Sequence, residues 1–200
     1  MGVGMGSSFA LLENPDWHGA ISGLGVTACV ARHSDRLEVV FDVVEPQDCY
    51  RCQCVKDSEP CWQDSCVEVF VASPRHGGYY NFEVNSAGVS LAEFGQAREA
   101  RRLFLPEEYA RVMRKVEVSP HSVGAVQIAW KLSISIPLDL IGLEPCEEIR
   151  GNLYKCASGA VRPHYLMAFP VSAAKPDFHR PECFGVLAIG RSEQLPFFGQ

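Results

Sequence analysis

The sequence predicts an all-β chain: an antiparallel β-sandwich of immunoglobulin or jelly-roll type with one short helix. Three observations carry that expectation. Apolar and polar residues alternate in several separate runs, as half-buried strands require. Gly, Pro and Ser gather between the runs, where turns need them. Helical spacing is confined to a single short stretch.

The first clear run is LEVVFDVVEP (37–46), in which Leu37, Val39, Phe41 and Val43 share one face and Pro46 ends the run. In CWQDSCVEVF (61–70) a strand over 64–72 places Ser65, Val67, Val69 and Val71 on one face and Asp64, Cys66, Glu68 and Phe70 on the other. The turn chemistry of SPRHGG (73–78) then leads into YYNFEVN (79–85), so the two strands are expected to form an antiparallel hairpin. On the second strand Tyr80, Phe82 and Val84 oppose Asn81, Glu83 and Asn85. PEEYARVMRK (106–115) has Pro in the first turn, acids early and bases late, which suits a helix, although the same residues could lead straight into a strand at 116–118. The longest alternation, VQIAWKLSISI (126–136), predicts a half-buried strand with Lys131, Ser133 and Ser135 on a wet face. Pro137 breaks it and a helical turn follows.

Two hundred residues without a linker or internal repeat fit one domain spanning 1–200. At 47% hydrophobic and 21% charged, the chain can bury a core without staples. A net charge of −6 argues against nucleic acid as a partner. The basic residues between Arg98 and Lys115 are read as a solvated face. No apolar run reaches the length of a membrane helix, so no membrane partner is expected. Gly2 belongs to a myristoylation pattern that Gly6 breaks.

Nine cysteines and no visible signal peptide favour a reducing, cytoplasmic location; a removed signal, and with it a secreted or periplasmic location, stays open. Five cysteines follow the spacing C-x2-C-x-C-x6-C-x4-C from Cys49 through Cys52, Cys54 and Cys61 to Cys66. Thiolates this close can close a zinc site, but one CxxC is fewer than zinc ribbons show, and buried or loop thiols are favoured.

Five segments in order carry a resemblance: W-x-D-S-C-V-E-V-F (62–70), Y-Y-N-F-E-V-N-x-x-G (79–88), W-x-L-x-I-x-I-P-L (130–138), R-G-N-x-Y-K-C (150–156) and P-D-F-H-R-P-E-x-F-G (176–185). Together they resemble the family 9 carbohydrate-binding modules and the bacterial family 9-like proteins of the DOMON-like superfamily, over about residues 37–190. The resemblance implies a sugar-binding sandwich with an aromatic clamp, polar groups for the hydroxyls, and calcium as loop support. It carries Trp62 over to the aromatic wall, Glu68 to the acid beyond it, and Asn85 and Asn152 to strand asparagines. Tyr154 is nearest to the second clamp aromatic, with Lys155 as the alternative. Glu83 stands where the sugar-binding branch tends to carry a basic residue.

Sugar chemistry asks for the same residue types, since an aromatic face covers ring C–H groups while carboxylates and amides bond the hydroxyls. The candidate ligand-binding set is Trp62, Glu68, Asn81, Glu83, Asn85, Asn152 and Tyr154, with no catalytic residue. For Asp64, Asn81 and Glu83 a solvated sheet face is the stronger reading. His179 invites a catalytic role, but a rigid loop plugged into the sandwich end by Phe178 and Phe184 explains its segment. His164 and Tyr165 could line the site or lie on a core strand. The leading function is binding of a mono- or oligosaccharide without turnover. Two alternatives stay open. One is a glycosidase using Glu68 with Asp64 or Glu83. The other is a haem domain using Met167, Met113 and His164.

Overall fold

A computed structural model describes residues 7–14, 16–33, 35–123, 125–145 and 147–188. Gly2 and Gly6 lie outside them. The strands are β1 (Ser7–Ala10), β2 (Leu12–Glu13), β3 (Gly25–His33), β4 (Arg36–Pro46), β5 (Cys66–Ser73), β6 (Gly78–Asn85), β7 (Ser90–Gly95), β8 (Arg102–Leu103), β9 (Met113–Val123), β10 (Ala125–Pro137), β11 (Ile149–Cys156), β12 (Tyr165–Met167) and β13 (Gly185–Ala188), with one helix, α1 (Pro106–Tyr109). They form two sheets, ordered β1-β3-β4-β10-β9 and β2-β12-β11-β5-β6-β7-β8; β13 joins the second by pairing with β11. All the pairings are antiparallel. Among the described residues no helix is long and apolar enough to cross a membrane.

Period-two burial drives the sandwich. Leu37, Val39, Phe41 and Val43 of β4 and Trp130, Leu132, Ile134 and Ile136 of β10 face Val67, Val69 and Val71 of β5 and Phe82 and Val84 of β6 across one core. Each such side chain, removed from water, contributes roughly 1.5–3 kcal/mol. The hairpin expected from SPRHGG is present, with Glu68 opposite Glu83 and Cys66 opposite Asn85.

The inter-sheet core also holds one polar network. Glu45 accepts from Trp130 Nε1 at 2.7 Å, Ser65 Oγ at 3.0 Å and Lys155 Nζ at 3.1 Å. Lys155 also donates to His164 Nε2 at 2.7 Å. Burial, then Lys155, depresses His164 to about 3, so the ring is neutral and its Nδ1–H is free to donate to the Arg162 carbonyl.

Three expectations change. The helix at 106–115 stops at Tyr109, and from Met113 the chain pairs with β10, Val116 opposite Leu132 and Val118 opposite Trp130. A neighbouring strand with open edge groups outcompeted a short helix, which costs its nucleation whatever its charge pattern. Ser135, placed on the wet face, is fully buried beneath Arg36, which donates to its hydroxyl and carbonyl. Ahead of residue 37 the sequence reading assigned no strand, yet β1, β2 and β3 are there.

Gly151 fixes a close crossing. It pairs with Val71 on one side and Gly185 on the other, and a Cβ there would run into the Phe70 carbonyl and the Leu187 side chain. β11 therefore carries β5 on one edge and both β12 and β13 on the other.

Candidate functional site

The outward face of the larger sheet is not open to solvent. Cys66 and Phe70 of β5, Tyr79 of β6, and Tyr154 and Cys156 of β11 form a second apolar cluster with Met167, Val171, Phe178 and Phe184. The last three belong to the segment 168–184, which leaves β12 and returns as β13. Phe178 stacks on Tyr154 with ring centroids 4.0 Å apart and planes 10° from parallel. Phe184 meets Phe70 and Tyr79 edge-on. The expectation that these phenylalanines plug the end of the sandwich is corrected: they roof the outer sheet face.

Where the roof ends, a cavity of about 550 Å³ opens, large enough for a small organic ligand. Its walls are Trp62, Tyr165 and Phe178, with Pro176, Asp177 and His179 along the roof edge. Trp62 sits on a single 3-10 turn, Cys61–Gln63, which holds its backbone while leaving the residue 41% exposed. Its carbonyl accepts from Ser158 N–H and Oγ at 3.0 Å, anchoring the turn to the chain beyond β11.

Two carboxyls lie at the floor, Glu68 and Glu83, 2% and 4% exposed. They are directly opposite on adjacent strands, where like charges repel. Glu68 Oε1 accepts from the Cys156 thiol at 2.9 Å. Burial, then the Cys156 thiol, pushes Glu68 well above the usual carboxylate range; burial, then Glu68 itself, does the same to Glu83. Glu83 Oε1 accepts from Asn81 Nδ2 at 2.9 Å, while its Oε2 is buried with no hydrogen-bond partner. His179 is depressed to about 4, chiefly by burial and then by Arg101, and its Nδ1 lies 2.9 Å from the Tyr79 hydroxyl.

The cations nearby are committed. Arg101 donates to Asn81 Oδ1 and the Tyr79 carbonyl, and its guanidinium lies 4.1 Å over the Tyr79 ring. Arg98 on the cavity wall pairs with Asp177 at 3.4 Å.

Of the candidate residues, Trp62, Glu68 and Glu83 meet at this cavity. Asn81 stands behind it, fully buried, orienting Glu83 and Arg101. The other three do not line it. Asn85 donates to the Cys54 carbonyl and Asp64 and accepts from Ala87 and Val89, fixing the turn after β6. Asn152 accepts from Phe169 N–H at 3.0 Å and donates to the Phe169 carbonyl at 2.9 Å, tying the roof segment to β11. Tyr154 is sealed beneath Phe178. Lys155, the alternative clamp position, points between the sheets to Glu45.

The solvated-face reading of Asp64, Asn81 and Glu83 is corrected, because all three are buried. Burial alone would raise the Asp64 carboxyl, but the N–H groups of Cys54 and Gln53 and the Asn85 amide outweigh it and hold Asp64 low. Arg51 also pairs with Asp64 at 2.5 Å. Cys156, Tyr165, Asp177, Phe178 and Glu93 also line the cavity, and of these the sequence alone singles out only Tyr165 as a candidate lining residue. Cys156 and the roof residues lay in quoted motifs, but only long-range packing shows that they converge.

Among the described residues, one group brings three metal-ligating atoms within 4.8 Å of one another: Cys66, Glu68 and Cys156. It uses one cysteine of the five clustered between Cys49 and Cys66, which do not assemble a site of their own. Two thiols and one carboxyl do not fit calcium, which takes six to eight oxygens. The haem candidates are scattered: Met113 is exposed on β9 of the smaller sheet, Met167 accepts from Val171 N–H, and His164 is bonded to Lys155.

The family model described as carbohydrate-binding family 9 matches residues 8–189. A crystal structure of a candidate carbohydrate-binding protein from Bacteroides uniformis is 27% identical, with a TM-score of 0.80 over 92% of this chain and 86% of that one. A family 9 carbohydrate-binding module from Caldicellulosiruptor kristjanssonii, solved with cellotriose, shares the fold at 11% identity, with a TM-score of 0.59 over 93% of this chain and 83% of that one. No curated protein matches.

Proposed function

The chain belongs to carbohydrate-binding family 9, and from that premise we propose that it is a non-catalytic module that holds a mono- or oligosaccharide in the Trp62–Glu68 cavity. The observation that carries the reading is the pairing of a half-exposed indole at the rim with carboxyls at the floor of one concave space. The indole covers ring C–H groups, and the carboxyls take hydroxyl donors. Phe178 and Tyr165 supply further aromatic surface along the cavity wall.

A glycan array followed by calorimetry tests this. Cello-oligosaccharides are the first probes, because a protein of the same fold was solved with cellotriose. Saturable binding without turnover is the expected result. If no sugar bound, or if Trp62→Ala left the binding heat unchanged, the assignment would fall.

Calcium is a separate part of the proposal. A supporting ion would draw its oxygens from loops away from the thiol-rich floor, and EDTA should then lower the melting temperature. The eight described cysteines are free, which supports a reducing compartment as the place where the module works.

A further inference from the structure

We propose that the cavity selects sugars carrying a protonated amine, held between Glu83 Oε2 and the Glu68 carboxyl. This rests on the sugar-binding reading above and narrows it to a ligand class.

The first ground is the unpartnered Glu83 Oε2. A carboxyl oxygen removed from water normally finds a donor. Here Asn81 serves one oxygen and the other, on a residue 4% exposed at the cavity floor, has none. A donor delivered by the ligand completes the set.

The second ground is charge. Four acids line the cavity, Glu68, Glu83, Glu93 and Asp177, against one arginine, Arg98. Arg98 is already paired with Asp177, and Arg101 behind the floor is spent on Asn81, the Tyr79 carbonyl and Glu93. His179 is uncharged near neutral pH. Lys155 is held on the opposite sheet face by Glu45. Among the described residues the floor therefore has two facing carboxyls and no cation free to join them.

An ammonium group answers both needs. It has three donors and no acceptor, so it can bridge two carboxyls while bonding each. Such charge-assisted bonds are shorter and stronger than those a neutral hydroxyl makes. The sugar ring beside it would meet Trp62 and Phe178. An anionic sugar lacks that advantage, since its carboxylate brings no donor for the open Glu83 Oε2.

The test compares D-glucosamine, D-glucose, N-acetyl-D-glucosamine and D-glucuronate by calorimetry at neutral pH, together with the deacetylated and acetylated β-1,4-linked disaccharides. Glucosamine and glucose differ only in an ammonium for a hydroxyl. The expected result is that each free amine binds at least tenfold tighter than its neutral or acetylated counterpart, with glucuronate weakest. Glu83→Gln, which keeps the volume, should bring the glucosamine-to-glucose affinity ratio to within about twofold of one. If glucose bound as tightly as glucosamine, or the variant kept the full ratio, the inference would fail while the sugar-binding module stood. If no sugar of any class bound, both would fail. Elemental analysis adds one more arm: stoichiometric zinc in the purified protein, lost in Cys66→Ser, would assign the floor to a metal and overturn the amine reading.

Discussion

Glu45 and Glu83 are both buried carboxyls on strands, and they differ in almost everything else. Glu45 sits between the sheets with three donors, Trp130 on β10, Lys155 on β11 and Ser65 just ahead of β5. Glu83 sits on the outer face of the larger sheet with one amide donor, an acid directly opposite, and an oxygen without a partner. The first is a closed network that needs nothing from outside. The second leaves an acceptor without a donor at the cavity floor. Burial alone does not separate these two carboxyls; hydrogen-bond saturation and the neighbouring cavity do.

The sharpest way to break the comparison is at Lys155. Lys155→Met leaves Glu45 buried without its cation and should cost about 3–5 kcal/mol of unfolding free energy, measured by denaturant titration. A loss under about 1 kcal/mol would show that the network does not hold the sheets together. Trp62→Ala touches the other region. It should weaken sugar binding at least tenfold, about 1.4 kcal/mol, while the melting temperature barely moves, because the residue is 41% exposed. A large stability loss would place Trp62 with the structural set instead.

The smallest expected effect is at Glu83. Glu83→Gln should leave the free protein as stable as before, or more so by about 1 kcal/mol at neutral pH, because it removes a buried acid that lacks a cation. The pH dependence gives the sign. The folded-state carboxyls of Glu68 and Glu83 lie well above the ordinary value of 4.5, so above that pH the folded chain holds more protons than the unfolded one. Stability from these groups is full below 4.5 and is lost as pH rises toward their folded values. The two depressed histidines work the other way, adding stability as pH rises from about 4 toward 6.5 for His179 and from about 3 for His164. The difference between Glu83→Gln and the parent should therefore widen above pH 4.5, with the histidine contributions cancelling. A constant difference across pH would remove Glu83 from the titrating floor.

Much of this was legible in the chain. β4, the β5–β6 hairpin and β10 announce themselves because one face is packed with Val, Ile, Leu and Phe and the other is not. β3 does not, since its inward face, Val26, Ala28, Val30 and Arg32, mixes two valines with an alanine and an arginine, and Ala31 on the other face is buried as well, which blurs the alternation. The site was legible as far as local pattern reaches: an acid within a buried run, after a tryptophan. The roof was not, because Asp177, Phe178 and Cys156 are brought to Glu68 by pairing across β11 and by ring stacking, neither of which has a sequence period. Asn85 and Asn152 show the reverse case. Their types suit sugar hydroxyls, but their amides are used on main-chain groups and Asp64.

The segment 168–184 behaves as an arch with both footings on one beam. It springs from β12, paired at the Tyr154–Cys156 end of β11, and lands as β13, paired at the Ile149–Gly151 end, with Asn152 clamping Phe169 between them. An arch anchored this way has no free end to swing on. The span above Glu68 is thus set by the length of a single strand. The exposed Trp62 marks the side from which the proposed sugar would enter beneath that span.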